Sequence, residues 1–230
     1  MLNTAVRAAR QAARVILMHY ARLDRIEVTR KARNDYVSQA DTEAEEIALE
    51  ILLKAYPDHG VLAEESGQRE GGEYTWVIDP LDGTTNFIHG FPQFAVSIAV
   101  LKDRTIEHGV VYDPLRNELF TASRGQGAQL NERRIRVSSC AHLETALLGT
   151  GFPFRELDRL DQWTKTFRML TRRSAGIRRT GSAALDLAYV AAGRMDGFWE
   201  FGLKVWDMAA GALLIREAGG PVSYTHLPLP

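Results

Sequence analysis

The sequence predicts a layered α+β fold, because the spacing of its apolar residues changes several times along the 230 residues. Helical 3–4 spacing and helix-capping residues mark long segments such as 1–23, 41–56 and 207–218, whereas residues 94–101 and 105–113 are short apolar runs typical of strands. A chain of this length can bury a substantial core. No repeat or low-complexity linker interrupts it, which favours one domain over residues 1–222 with two αβ halves, about 1–137 and 138–222.

The chain is predicted to begin with a helix that packs on the core. Residues 1–23 are rich in Arg and lack acids, a composition that also resembles an organellar transit peptide. Apolar side chains nevertheless repeat at 3–4 spacing, which favours a core helix with Arg7, Arg10 and Arg14 on its wet face. The repeating positions are Leu2, Val6, Ala9, Ala13, Ile16, Leu17 and Tyr20.

The rest of the first half is predicted to be one helix followed by a series of strands. A helix over 41–56 opens at Asp41-Thr42, and a strand over 61–63 and a polar loop over 68–73 follow it. A buried strand over 74–78 comes next. Residues 94–101 and 105–113 then predict a β-hairpin that turns at Lys102-Asp103. Short strands over 118–122 and 127–130 continue the sheet.

The second half repeats the mixture on a smaller scale. Strands are predicted over 147–149 and 198–201, and helices over 160–171, 182–192 and 207–218. Gly193 closes the second of these helices, and Gly219-Gly220-Pro221 stops the third. The last residues, 223–230, contain two prolines and no periodicity, so they predict neither a helix nor a central strand.

Composition excludes several function classes. Lys and Arg number 28 against 29 Asp and Glu, so the net charge of −1 provides no overall attraction to nucleic acid or to an anionic membrane. The longest uncharged apolar runs are too short to span a bilayer. The single Cys140 rules out an intrachain disulfide and fits a reducing compartment, so we expect a cytoplasmic protein.

The most informative segment runs from Trp76 to Asn86, where a buried strand leads into two carboxylates three residues apart. Asp79 and Asp82 would repel each other unless a cation lay between them, and oxygen-only ligands favour Mg²⁺. Gly83 permits a close backbone approach, and Thr84 adds a hydroxyl and an N–H for an anion. A plain turn would explain Asp-Pro and Asp-Gly but not the order of the whole segment.

Three motifs resemble those of the inositol monophosphatase family, the lithium-sensitive, Mg²⁺-dependent phosphatases. They are Asp79-Pro-Leu-Asp-Gly-Thr84, Val205-Trp-Asp-Met-Ala-Ala-Gly211 and Ala63-Glu-Glu-Ser-Gly67, in the family's order. The similarity runs over residues 2–222 and is strongest to the bacterial extragenic-suppressor-type branch. It implies an αβαβα sandwich of the sugar-phosphatase type. Family members continue with further strands and a terminal helix, so residues 223–230 read as a truncated or foreign tail.

The resemblance also implies a two-metal site. Glu64, Asp79 and the Leu81 carbonyl would share one Mg²⁺, Asp79, Asp82 and Asp207 would hold a second, and Asp41 would lie near a weaker third ion. Thr84, with Asp41 or Glu64, would orient the attacking water, so that the catalytic residues are Glu64, Asp79, Asp82 and Thr84. From the residues alone, Glu64-Glu65 could be a solvated pair, and Asp207 could be only a helix N-terminal acid.

The resemblance also implies a set of substrate contacts. Glu200 matches the family's acceptor for a sugar hydroxyl, and Arg178 matches part of its substrate wall. Lys31 and Asp35 match a mobile loop, although a solvated loop is an equal interpretation. The remaining substrate-binding positions are Leu81, Asp82, Gly83, Thr84, Gly181, Ser182, Ala183 and Asp207.

The implied activity is hydrolysis of inositol 1-phosphate and related small polyol or sugar monophosphates. A histidinol-phosphate or fructose-bisphosphate phosphatase on the same scaffold is an alternative. A second class of function, transcription antitermination as a partner of the RNA-polymerase elongation complex, is implied by the bacterial branch, and so is a homodimer. Neither direct nucleic-acid binding nor a membrane partner is expected.

Overall fold

The computed structural model describes residues 1–25, 28–32, 35–154 and 156–223, and the description of side chains leaves out residues 30–36. Lys31 and Asp35, predicted on a mobile loop, therefore lie outside the described side chains. Most of the predicted tail, residues 224–230, also lies outside the described residues. Within the described ranges, no helix combines the length and the apolar character that crossing a membrane requires.

The chain combines helices with runs of consecutive strands. The first part contains α1 (Leu2–Tyr20), β1 (Val28–Ala32), β2 (Asp35–Ser38), α2 (Gln39–Ala55), β3 (Gly60–Ala63), β4 (Gly67–Arg69), β5 (Tyr74–Asp82), α3 (Thr84–Ile88), β6 (Ala95–Lys102), β7 (Thr105–Asp113), β8 (Glu118–Ser123), β9 (Gly127–Leu130) and β10 (Arg133–Arg134). The second contains β11 (Leu147–Thr150), α4 (Leu160–Thr171), β12 (Gly176–Arg178), α5 (Ala183–Ala191), β13 (Gly197–Trp199) and α6 (Val205–Glu217).

An eight-stranded sheet forms the centre, in the order β10-β9-β8-β7-β6-β5-β3-β4. Adjacent strands of this sheet pair antiparallel, except for β3 and β5, which are parallel. The predicted hairpin is β6 and β7. The pairing of β5 with β6 is interrupted between Asp79 and Asp82. Pro80, which lacks an N–H, lies in that interruption, so the backbone bulges where the two carboxylates occur.

Two helices cover one face of this sheet. The small side chains of α1 and α2 are buried against each other and against the sheet, and Arg7, Arg10 and Arg14 are exposed as predicted. Alanine at the contact lets the two helix backbones approach closely. The buried alanines are Ala5, Ala8, Ala9, Ala12 and Ala13 in α1, with Ala40, Ala44 and Ala48 in α2.

The other face carries α5 and α6, then a second sheet. Gly109 of β7 lies directly beneath α6: a Cβ there would be 3.0 Å from the Ala210 backbone. The second sheet has the order β12-β11-β13 with parallel pairing. Helix α4 lies outside the second sheet. The Trp163 Nε1–H of α4 donates a hydrogen bond to Thr150 Oγ1 of β11 at 3.2 Å. The result is the predicted αβαβα layering.

The differences from prediction lie in short elements and at ends. The predicted polar loop over 68–73 contains β4, an edge strand paired with β3. Strands β10 and β12 were not predicted, because two or three residues carry no recognisable alternation. Helix α2 begins at Gln39 rather than Asp41, because Asp41 accepts the Ser38 N–H at 2.8 Å and so occupies the third helical position of a capping box.

Candidate active site

A cavity of about 430 Å³ lies where the two sheets and their helices meet. It is bordered by the end of β5, the start of α3, the loop before α5 and the start of α6. Most of the predicted site residues line it, whereas Asp41 and Arg178 do not. The predicted residues on its wall are Glu64, Asp79, Leu81, Asp82, Gly83, Thr84, Gly181, Ser182, Ala183, Glu200 and Asp207.

The floor of the cavity holds three carboxylates. Asp79, Asp82 and Asp207 each offer an oxygen within 4.8 Å of the others. They are at most 9% exposed. Burial raises the pKa of Asp79 well above its usual range, and the neighbouring charges of Glu64, Asp82 and Asp207 raise it further. Such a cluster is unfavourable when ionised, and a cation bound by these oxygens would remove the cost, so the donor set fits a hard divalent metal.

Each carboxylate accepts a hydrogen bond from at least one backbone N–H group. Asp79 Oδ1 accepts the Leu81 N–H at 3.0 Å, and Asp207 Oδ2 accepts the Lys204 N–H at 2.6 Å. Asp207 is therefore a helix N-terminal acid and also a member of the cluster. Asp82 is bound from the second half of the chain, because its Oδ2 accepts from Ser182 Oγ at 2.5 Å and from the Ala184 N–H at 2.7 Å.

Gly83 and Thr84 border the cavity beside the carboxylates. Gly83 has φ +98°, and a Cβ there would come within 2.9 Å of the Gln93 carbonyl oxygen, so only glycine fits. The Thr84 hydroxyl lies 2.9 Å from Asp41 Oδ1 and 3.0 Å from the Leu81 carbonyl oxygen, and it can donate to either. Thr84 therefore connects Asp41 to the cavity.

Asp41 lies behind Thr84, fully buried. Its Oδ2 accepts from the Ser38 N–H and the Ser38 hydroxyl. Burial raises the pKa of Asp41 to about 6, although the bonds from Ser38 and Thr84 oppose the rise. Both oxygens already have protein donors, so the predicted role beside a third ion stays a prediction.

Glu200 forms the opposite wall. Its carboxyl group lies against Gly151, where an added Cβ would be 1.9 Å from Glu200 Cδ. Burial raises the pKa of Glu200 to about 8, with further contributions from Asp207, Asp82 and Asp186, while Arg179 opposes the shift. The shift favours the protonated form of Glu200, and a protonated carboxyl can both donate to and accept from a hydroxyl.

The structure places Arg179, not Arg178, at the cavity. The Arg179 guanidinium lies over Phe152 and Phe154, 5.0 and 5.4 Å from their ring centres. Arg178 is exposed, and its Nη1 donates to the carbonyl of Ile177. Arg178 is the last residue of β12, whereas Arg179 lies in the loop before α5, and local sequence spacing does not specify the direction of a loop side chain. The substrate role predicted for Arg178 stays a prediction, and Arg179 is the neighbouring arginine that lines the cavity.

Sequence reasoning also missed Asp186 as a lining residue. Asp186 is 1% exposed, and its Oδ1 accepts from the Thr180 hydroxyl at 2.6 Å. Burial raises its pKa to about 7. A signal was present, because Asp186 is the one charged residue in the apolar helix Ala183–Ala191. A charge at such a position usually has a partner or a function.

These raised pKa values predict that the metal-free protein loses stability as pH rises from about 5 to 8. Asp41, Asp186 and Glu200 keep their protons to about pH 6, 7 and 8 in the folded state. The unfolded chain releases them near pH 4, so between these limits the folded state binds more protons and the slope is negative. Thermal unfolding in EDTA should give a lower Tm at pH 8 than at pH 5.5.

Two comparisons separate this effect from general pH sensitivity. Added Mg²⁺ should reduce the loss, because a cation bound by Asp82 and Asp207 would offset the two charges that raise the pKa of the neighbouring Glu200. Asp186→Asn should flatten the slope below pH 7, because that proton no longer contributes. A Tm in EDTA that stays level or rises from pH 5.5 to 8 would contradict the assignment.

This chain is similar to known proteins over most of its length. The model of the inositol monophosphatase family matches residues 1–227. The Nus factor SuhB of Pseudomonas aeruginosa is 59% identical over 229 residues, 97% of this chain and 84% of that protein. The crystal structure of extragenic suppressor protein suhB from Bartonella henselae is 49% identical, with a TM-score of 0.92 over 94% of this chain and 84% of its own. Inositol monophosphatase from Anabaena (Nostoc) sp. PCC 7120 is 42% identical, with a TM-score of 0.84 over 95% and 81%. The chain therefore belongs to the inositol monophosphatase family.

Proposed function

We propose that this chain is a Mg²⁺-dependent phosphatase that hydrolyses inositol 1-phosphate and related small polyol or sugar monophosphates to the free polyol and phosphate. The observation that carries the proposal is the buried group of Asp79, Asp82 and Asp207, whose oxygens lie within 4.8 Å of one another at the floor of a cavity. Glu64 and Leu81 border the same space, and the Glu64 carboxylate and the Leu81 carbonyl would complete the ligand set. When bound, Mg²⁺ supplies positive charge that polarises phosphate oxygens and makes a bound water more acidic.

The protein groups around this floor bind the phosphate, the attacking water and the polyol. The backbone N–H groups of Gly83 and Thr84 bind the phosphate. The Thr84 hydroxyl orients the attacking water, because its donation to Asp41 leaves the oxygen lone pairs for that water. Glu200 binds a hydroxyl of the leaving polyol. The P–O bond to the polyol breaks as the water oxygen bonds to phosphorus, and one proton of the water passes to the departing polyol oxygen, so the products are the alcohol and hydrogen phosphate.

The charges on the cavity wall favour a monophosphate over a bisphosphate. Among the described lining residues, Arg179 is the one Lys or Arg side chain. A second phosphate would need its own cluster of cationic groups. Glu200 and Asp186, in contrast, suit hydroxyl groups. A histidinol-phosphate phosphatase remains the alternative on the same scaffold.

Phosphate release with a panel of substrates tests the proposal. Inositol 1-phosphate, histidinol phosphate and fructose 1,6-bisphosphate should be compared in Mg²⁺, with EDTA as the metal-free control. We expect the highest kcat/KM with inositol 1-phosphate and no release in EDTA. A preference for histidinol phosphate would move the assignment to the alternative, and the absence of release from every substrate would overturn it.

A second candidate function is transcription antitermination as a partner of the RNA-polymerase elongation complex. The high identity to a relative named Nus factor SuhB favours it. Such a role needs an exposed surface rather than turnover. The basic face of α1, formed by Arg7, Arg10 and Arg14, is exposed and is one surface that could serve it.

The two functions should separate by mutation. Asp82→Asn should still rescue a strain that lacks the protein if the partner role is the physiological one, because it leaves the surface unchanged. Replacing Arg7, Arg10 and Arg14 by Ala should do the reverse, since binding energy usually concentrates in a few large or Arg side chains. Growth rescue and phosphate release are the two measurements.

A matched control uses arginines elsewhere on the surface. Arg172 and Arg173 are exposed beyond the end of α4, and their replacement by Ala should change neither rescue nor turnover. If folded Asp82→Asn fails to rescue, the phosphatase activity is the physiological function. A homodimer and a cytoplasmic location stay predictions.

A further inference from the structure

One asparagine joins three separate segments next to the active site. Asn86, in α3, donates through Nδ2 to the Gln93 carbonyl at 2.7 Å and to the Thr180 carbonyl at 2.9 Å. An amide nitrogen has two hydrogens, so both are used, and the orientation of the group is determined. Thr180 lies 94 residues away in the chain, in the loop that precedes α5.

That loop, residues 179–182, rests directly on the Asn86 amide. Gly181 has φ +88°, and a Cβ there would come within 2.9 Å of Asn86 Nδ2 and 3.0 Å of Oδ1. The loop is also tied from the other side, because the Thr180 hydroxyl donates to Asp186 Oδ1 at 2.6 Å. Its position is therefore set by Asn86 on one side and Asp186 on the other.

The loop continues directly into the groups that hold Asp82. Ser182 Oγ and the Ala184 N–H both donate to Asp82 Oδ2, at 2.5 and 2.7 Å. A shift of the loop would move these donors together and rotate the carboxylate. A continuous path of polar contacts thus runs from Asn86 through Thr180 and Ser182 to Asp82.

We propose that Asn86 is a positioning residue for the metal site: it holds the loop 179–182 so that Ser182 and Ala184 orient the Asp82 carboxylate toward the ion. This inference rests on the proposed function for the identity of the ion. Asn86 does not line the cavity, so its influence on the site passes through the loop.

The chemistry of the amide predicts an order of effects. Asn86→Ala removes two donors and leaves two carbonyls without them. Asn86→Asp keeps the shape but sets a carboxylate oxygen against the same two carbonyls, which repels the loop. Mg²⁺ affinity should therefore fall further in Asn86→Asp than in Asn86→Ala.

The test is Mg²⁺ binding without substrate, by calorimetry and by the Mg²⁺-dependent rise in Tm. Partners that orient metal ligands typically change metal affinity on the order of 10–100-fold, so Ser182→Ala should raise the Kd for Mg²⁺ by about tenfold or more. Asn86→Ala should raise it by about tenfold, the lower end of the same range. The double variant should have a Kd for Mg²⁺ no higher than that of the weaker-binding single variant, because both substitutions act on one path.

Asn131→Ala is the matched control. Asn131 also bonds twice to backbone, accepting from the Leu119 N–H at 2.9 Å and donating to the Asn117 carbonyl at 3.2 Å, but it lies in the turn between β9 and β10. Its φ of +47° makes Ala there at least as costly to stability. We expect a lower Tm and an unchanged Mg²⁺ affinity.

Specific results would overturn the inference. Wild-type Mg²⁺ affinity in Asn86→Ala would do so, as would effects of Asn86→Ala and Ser182→Ala that multiply in the double variant. A weakened Mg²⁺ affinity in a protein that releases no phosphate would uphold the positioning role and refute the phosphatase. Absence of Mg²⁺ binding by the wild type would refute both.

Discussion

Asp82→Asn is expected to abolish phosphatase activity while leaving the fold intact. Asp82 supplies one of the three carboxylates at the cavity floor, and the amide removes its charge where a cation would bind. The loss should exceed the roughly 100-fold upper range seen for residues that only orient metal ligands. The same change should raise the Tm of the metal-free protein, because it relieves repulsion among carboxylates that burial has already made costly.

The measurements are kcat at saturating Mg²⁺ and Tm in EDTA. Asp113→Asn is a suitable control, because Asp113 is also fully buried but forms an ion pair with Arg116 away from the cavity. That variant should lose stability and keep its activity. If Asp82→Asn retains more than a tenth of wild-type turnover, the assignment of the metal site is wrong.

Gly151→Ala should cause the second-largest loss of phosphatase activity, and the loss should be selective for substrates with a polyol group. The added Cβ would lie 1.9 Å from Glu200 Cδ and 2.0 Å from its Oε1, so the carboxyl must leave its position. A misplacement of about 1 Å can reduce rate by on the order of 100-fold when orientation matters. We expect a loss of that size in kcat/KM for inositol 1-phosphate.

The selectivity distinguishes a lost hydroxyl contact from general damage. p-Nitrophenyl phosphate has no polyol hydroxyl, so Gly151→Ala should hydrolyse it at close to the wild-type rate. Gly176→Ala, in the neighbouring strand β12, is the control, because its Cβ would meet the flexible guanidinium of Arg178 at 3.2 Å and would be in ordinary contact with Leu147 Cδ1 at 3.7 Å. Equal losses on both substrates would argue against a role for Glu200 in binding the polyol.

Local sequence patterns predicted most of the elements of the fold. The helical spacing of α1, the hairpin of β6 and β7 and the boundaries of α4 agree with prediction to within a residue or a few residues. These elements are long or bounded by strong turn residues, so neighbouring side chains specify them. Strands β1, β2, β4, β10 and β12 were missed because each is short, and only pairing with a neighbour makes them strands.

The sequence by itself determined the family, the layered fold and the compact segment Asp79–Thr84, since residues that are adjacent in the chain must also be adjacent in space. Only the tertiary structure decided how that segment is supported. Ser182 reaches Asp82 across 100 residues, and Asn86 reaches Thr180 across 94. It also decided that Arg179 rather than Arg178 faces the cavity, and that Gly151 makes room for Glu200. These contacts depend on how the two sheets and their helices stack, and no local spacing specifies the distance between separate layers.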